Sequence, residues 1–220
     1  MVQIHLCPPK SMFIAIAGNI GSGKTNLTKT LVNCLKFQPC LEEFFASNPY
    51  LERFYQDKKT WAFHSQLFFL GQSIKNQREI LKREIPTIQD RSMYENAEVF
   101  ARSLYKDGYI SEDEWRIYWE LYENAAELLT PPDVIVYLQA DVDTLIARIK
   151  KRGRMMESEI EQNRGYIARL NEMYDDWADN FKLCPVLKVP IAGTDFRNRP
   201  EEIEKLIFKI EKIIGKKLDS

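Results

Sequence analysis

Residues 18–25 read GNIGSGKT directly behind the apolar run MFIAIA, and no other stretch limits the chain's possible folds as tightly. Gly18, Gly23, Lys24 and Thr25 fit the pattern G-x-x-x-x-G-K-[ST]. The context fits as well: Phe13–Ala17 reads as a short buried strand, and Lys24 to about Leu35 as a helix. Such a loop turns backbone N–H groups toward phosphate oxygens and adds the positive end of a helix dipole. Asn19, Ile20, Gly21 and Ser22 complete the cradle. Lys24 is placed to reach the terminal phosphates, and Thr25 to offer a hydroxyl to Mg²⁺. No N-K-x-D tetrapeptide is present to read guanine, so ATP is the expected nucleotide.

Behind the loop, strands and helices alternate. A second short strand is expected around Cys40–Phe44. In SNPYLERFYQ, Ser47 or Asn48 can cap a helix whose first turn holds Pro49. Trp61–Arg83 reads as a long helix with a mostly apolar stripe of Phe63, Leu67, Leu70, Ile74, Gln77 and Leu81. PTIQDR is a strand that delivers Asp90 and Arg91 to its end. ENAEVFARSLYKDG is a helix closed by Gly108. Ser111 and Glu114 have capping-box spacing and open a helix running to about Leu129. DVIVYLQA is a strand, and Asp141 can cap the helix after it, to about Lys151. IEQNRGYIARLNEMYDDWADNF is a helix, PVLKVPI the last strand, and Arg199–Gly215 the last helix. The alternation predicts an α/β domain spanning residues 1–220, with a five-stranded parallel sheet flanked by helices.

Formal net charge is −1, which gives no whole-protein field for nucleic acid or an anionic membrane. The four cysteines and two histidines show no metal-ligand spacing. No secretory signal is apparent, and no apolar run approaches the roughly 20 residues that span a bilayer. Free thiols and a cytoplasmic location are expected.

Arg148, Lys150, Lys151, Arg152 and Arg154 place five basic residues within seven. Arg148 and Arg152 share a helix face. Alone, the cluster would read as a solvated helix end favoured by the dipole. Behind a phosphate loop it reads as an Arg-rich lid over about 148–158, able to clamp charge on a transferring phosphoryl group. That favours a small-molecule kinase over a regulatory ATPase that hydrolyses nucleotide without an acceptor.

GNIGSGKT, FYQDKKTWAFHSQ, DRSMYENAEVFA, ISEDEW and RIKKRGRMMESEI together resemble the deoxynucleoside kinase family from about residue 12 to residue 200. EEFFASNPYLERFY is most similar to its bacterial purine members. The resemblance implies the P-loop kinase fold, usually as a homodimer, and ATP-dependent phosphorylation of a deoxynucleoside 5′-hydroxyl. It implies Glu43 as the catalytic base, with Glu42 beside it as the alternative. It implies Asp90 on Mg²⁺, and Arg91 bridging the base and the reacting phosphate. Arg148, Arg152 and Arg154 become the clamp, with Arg152 also on ATP. Tyr55 and Glu157 match the pair that binds the 3′-hydroxyl, and Gln66 the glutamine that reads the base edge. Phe63 or Phe100 is left to stack on the base, and Asp195-Phe196 resembles the loop over the ATP adenine.

Two positions depart from the family pattern. Asn96 stands where members commonly carry Asp, and Ser73 where they carry Arg. Losing both charges together is coherent, because a single unpaired buried charge is costly. Purine, with deoxyadenosine ahead of deoxyguanosine, is the expected base. A broader or pyrimidine specificity is the alternative, and so is thymidylate kinase, which would need a further cation for an acceptor phosphate.

Overall fold

The structure is a computed structural model, and it describes residues 11–41, 47–152 and 164–218. Five strands form one parallel sheet in the order β2-β3-β1-β4-β5. They are β1 (Phe13–Gly18), β2 (Gln38–Cys40), β3 (Thr87–Asp90), β4 (Val134–Gln139) and β5 (Val186–Pro190). The expected parallel α/β architecture is present. β2 lies earlier than the Cys40–Phe44 expected of it, because its ladder follows β3 from Gln38↔Thr87 to Cys40↔Gln89. Residues 42–46 lie outside the described part.

β1 is central, and both of its faces are covered. Phe13, Ala15 and Ala17 face one hydrophobic core, shared with Leu70 and Ile80 of α3 (Lys58–Leu81), Tyr118 and Tyr122 of α6 (Glu112–Leu128), and Tyr174 of α8 (Arg164–Asn180). Ile14 and Ile16 face a second core, shared with α1 (Lys24–Leu35), α7 (Val142–Arg152) and α9 (Pro200–Ile214). The alternation along one strand assigns each helix to its layer.

Local signals set most boundaries. Ser111 and Glu114 form the capping box, and Asp141 Oδ1 accepts the Thr144 N–H at 2.7 Å. Gly108 takes a φ of 76° after α5 (Arg102–Lys106). Two expectations shift. α2 (Leu51–Gln56) begins after Tyr50, because the Asn48 carboxamide accepts the Tyr50 N–H (2.9 Å) and closes a turn there. The single helix expected from Glu95 is three pieces: α4 (Met93–Glu95), a π-helical stretch Asn96–Ala101, and α5.

The face of α3 that packs inward shares only Leu70 and Gln77 with the apolar stripe. Phe63, Leu67 and Ile74 are only half-buried, while Ala62, Ser65, Gln66, Ser73 and Gln77 are buried. Three of those polar groups have partners: Ser65 accepts from Asn48, Ser73 from Asn96, and Gln77 donates to Tyr94. A paired polar group can occupy an interior that an apolar pattern does not announce.

The loop after β1 packs on α7. A Cβ on Gly21, whose φ is 84°, would lie 2.9 Å from the Leu145 carbonyl oxygen and 3.0 Å from Ile149. Gly21→Ala combines a left-handed backbone with that overlap, and should lower unfolding free energy by about 1–3 kcal/mol. Urea denaturation of the variant measures it.

Candidate active site

The ends of β1 and β3 build the site. Both strands run in the same direction, with Ile16 beside Asp90 in the ladder, so the start of the phosphate loop and the end of β3 emerge together. The carboxyl ends of parallel strands are where such sheets place their ligand crevice. α1 opens immediately behind Gly23, so its N-terminal N–H groups join the loop.

The loop is held internally. Gly18 has a φ of 150°, and a Cβ there would come within 2.7 Å of Ser22 Oγ. Lys24 Nζ spans the loop, donating to the carbonyls of Gly18 (2.7 Å) and Asn19 (3.1 Å). The Asn19 carboxamide donates to the carbonyl of Ile167 in α8, and its oxygen accepts the Ile20 N–H. Arg148 Nη1 donates to the Ser22 carbonyl at 2.9 Å, so this arginine of the basic cluster stands at the loop.

Thr25 Oγ1 donates to Asp90 Oδ2 at 2.5 Å, joining the two residues expected at the metal. The other carboxylate oxygen, Asp90 Oδ1, is buried and has no hydrogen-bond partner among the described residues. A hydroxyl, a carboxylate and an open buried oxygen form a hard-oxygen set that fits Mg²⁺.

Arg91 follows Asp90 with a φ of 67°, a left-handed conformation that costs a non-glycine residue about 1–2 kcal/mol. Its N–H still donates to Ile16 of β1 (3.0 Å). The turn lifts its side chain off the sheet: the guanidinium lies 4.4 Å above the Phe100 ring and donates to the Tyr174 hydroxyl at 3.3 Å. Phe100 is thus engaged by Arg91 on one face.

Glu95 belongs to this group and was not among the expected site residues. It is fully buried. Its carboxylate accepts the Gly18 N–H (3.1 Å), the Tyr174 O–H (2.7 Å) and the Ser92 N–H (3.3 Å). Burial pushes its carboxyl above the ordinary carboxylate range, while the nearby Arg91 and Lys24 pull it back. The sequence signal for it was Ser92-x-x-Glu95, the capping-box spacing.

The expected base-reading residues are at helix faces near this corner. Gln66 is buried on α3, and Ser73 lies seven residues along the same face. Asn96 Nδ2 donates to Ser73 Oγ at 2.8 Å. The two departures from the family pattern are therefore one neutral, hydrogen-bonded pair. Tyr55 on α2 and Phe63 on α3 are half-buried. Asp195 organises its own turn, accepting from the N–H groups of Arg197 and Asn198, and Phe196 packs on the second core. Glu42, Glu43, Arg154 and Glu157 lie outside the described residues, as does the side chain of Arg152.

A glycine loop on a central parallel strand, an Asp–Thr pair beside it and Arg148 bonded to it fit the P-loop kinase fold. The deoxynucleoside kinase family model matches residues 14–215. The deoxyadenosine/deoxycytidine kinase of Bacillus subtilis is 39% identical over 218 residues, 97% of each chain. The deoxyguanosine kinase of the same organism is 34% identical over 210 residues, 92% of this chain and 97% of its own. The solved structure of deoxyadenosine kinase from M. mycoides with bound dCTP superposes with a TM-score of 0.76 at 28% identity, covering 91% of this chain and 100% of that one. The chain belongs to the deoxynucleoside kinase family, and it is a phosphotransferase enzyme of that family.

The neutral pair makes a prediction. Asn96→Asp would bury a carboxylate where 5% of the residue is exposed, with only a hydroxyl as partner. Desolvation raises such a carboxyl's pKa in the folded state. A carboxyl shifted that way costs no stability below its unfolded pKa, and the cost grows as pH rises through its folded pKa. The variant should therefore approach wild-type stability at about pH 4, and fall about 1–3 kcal/mol short at about pH 7. Chemical denaturation at the two pH values checks both sign and size.

Proposed function

We propose that this kinase transfers the γ-phosphate of ATP to the 5′-hydroxyl of a purine deoxynucleoside, with deoxyadenosine preferred to deoxyguanosine. The observation that carries the reading is the convergence of Lys24, Thr25, Asp90 and Arg91 where β1 and β3 end. The names of the relatives support a deoxynucleoside acceptor, and two of them name deoxyadenosine.

Glu43 is the base that takes the 5′-hydroxyl proton as that oxygen attacks the γ-phosphorus. The bond from the γ-phosphorus to the bridging oxygen breaks, and ADP leaves. Arg91 holds the attacking group and the phosphate in register. Arg148, Arg152 and Arg154 stabilise charge on the transferring group. Thr25 and Asp90 would hold Mg²⁺, which when bound would neutralise phosphate charge. Asp195 and Phe196 border the ATP adenine.

Tyr55 and Glu157 take the 3′-hydroxyl, and Phe63 or Phe100 packs on the base. Glu157 favours an uncharged acceptor over the acceptor phosphate that a thymidylate kinase would bind. Gln66, beside the neutral Ser73–Asn96 pair, reads the base. Its amide oxygen accepts from an exocyclic amino group while its NH₂ donates to the adjacent ring nitrogen. Adenine and cytosine share that edge, and guanine presents the reverse. A broader specificity that takes in deoxycytidine is the alternative reading, and it accords with the two bases named together for the Bacillus subtilis relative.

A homodimer is the proposed assembly. Ile117, Leu121 and Leu128 form an exposed apolar stripe on α6 that a second copy would cover. No helix among the described residues is long and apolar enough to cross a membrane, which accords with cytoplasmic nucleotide salvage.

A coupled assay with ATP·Mg²⁺ and the four deoxynucleosides, dTMP and adenosine tests the acceptor. Deoxyadenosine should give the highest kcat/KM. Turnover of dTMP alone would overturn the nucleoside reading. Glu43→Gln should lower kcat by about 10²–10⁴-fold and leave deoxyadenosine binding, measured by calorimetry, near wild type. Near-full activity would remove Glu43 as the base.

A further inference from the structure

Glu95 is a completely buried carboxylate that none of the proposed chemical steps uses. Its two oxygens face three donors from three parts of the fold. Oε1 takes the Ser92 N–H at the start of α4. Oε2 takes the Gly18 N–H, at the junction of β1 and the phosphate loop, and the Tyr174 O–H from α8. These partners stand 77 and 79 residues away in sequence.

With Glu95 ionised, the hydrogen bonds that join Arg91, Tyr174 and Glu95 have a single proton order. Arg91 has only donors and an ionised carboxylate only acceptors. The Tyr174 hydroxyl lies between them, so it must give its one proton to Glu95 and accept the Arg91 Nη1–H on a lone pair. A chain of this kind polarises along its length and fixes the direction of each bond. The Tyr174 ring cannot swing to another arrangement: it stacks on Tyr137 at 5.6 Å and 6°, and meets the edge of Phe100 at 5.9 Å. Phe100 in turn carries the Arg91 guanidinium.

Gly18 is held at both of its backbone groups. Its N–H goes to Glu95, and its carbonyl accepts from Lys24. A buried charge is expensive, and one kept in place of an apolar residue is best accounted for by the arrangement it specifies.

We infer that Glu95 is a positioning residue that fixes the phosphate loop and Arg91 in one relation, acting on the loop through Gly18 and on Arg91 through the Tyr174 hydroxyl. The inference rests on Arg91 being the arginine that aligns the reacting groups. Transfer needs the γ-phosphate, held by the loop, and the acceptor oxygen, aligned by Arg91, to keep their relative placement within a fraction of an ångström. A rigid acceptor shared by both halves provides that. Glutamine at position 95 could not replace it, because its NH₂ would face one of the three donors.

The test is a double-mutant cycle on kcat, with ATP KM and thermal melting measured alongside. Arg91→Ala should lower kcat by about 10²-fold or more. Tyr174→Phe, which removes one hydroxyl, should lower kcat by about 5–20-fold, with ATP KM and melting temperature near wild type. In the Arg91→Ala background the same change should cost less than about twofold, since the arginine it orients is gone. Glu95→Gln should lower kcat and also raise ATP KM, because the Gly18 contact changes as well.

If Arg91→Ala keeps wild-type kcat, the role given to Arg91 fails and this inference falls with it. If Arg91→Ala loses activity while Tyr174→Phe keeps it, the inference alone is overturned. If Tyr174→Phe costs the same factor in both backgrounds, Tyr174 acts independently of Arg91 and the inference is overturned. The tyrosine arm decides the question even if Glu95→Gln proves unstable.

Discussion

Gly18 is held at both of its backbone groups, by a carboxylate on its N–H and an ammonium on its carbonyl. The site depends on that grip. Gly18 closes the central strand, pairs with Leu138 of β4, and begins the turn that aims the loop's N–H groups. Its φ of 150° and the 2.7 Å approach a Cβ would make to Ser22 Oγ leave little room for any side chain. Fixing this one residue aligns the loop with Asp90, which sits beside Ile16 two residues upstream of it. The Thr25–Asp90 contact then follows from the sheet register, with no long-range adjustment needed.

The interior is more polar than the hydrophobic pattern of its helices suggests, and much of that polarity lies on the inward face of α3. α3 turns Ser65, Gln66, Ser73 and Gln77 inward. Most of these groups are paired by neighbouring elements, which keeps the cost of burying them low. The Ser73–Asn96 bond lets both polar side chains be buried without an unpaired charge.

Much of the fold was legible because its signals are local. The glycine loop between strand and helix, the Ser111–Glu114 box, the Asp141 cap and Gly108 each act within a few residues, and each appears where its spacing puts it. The Asp90–Thr25 meeting was legible through the family resemblance, and the ladder accounts for it. Three features were not legible, for one shared reason. The π-helical stretch at Asn96–Ala101, the inward polar face of α3 and the role of Glu95 are all decided by partners distant in sequence. Glu95 has ordinary helix-capping spacing after Ser92. Nothing near it reveals that the same carboxylate reaches Gly18 and Tyr174.

The helices on either side of residues 153–163 are both tied to the phosphate loop. α7 seats Leu145 and Ile149 under Gly21 and sends Arg148 to the Ser22 carbonyl. α8 receives the Asn19 carboxamide at Ile167, and one turn further along Asn171 donates to the Ala140 carbonyl at the end of β4. Tyr174, the next turn of the same face, takes Arg91. The two helices therefore share the phosphate loop as one mechanical reference, and α8 extends that reference to Arg91 through Tyr174.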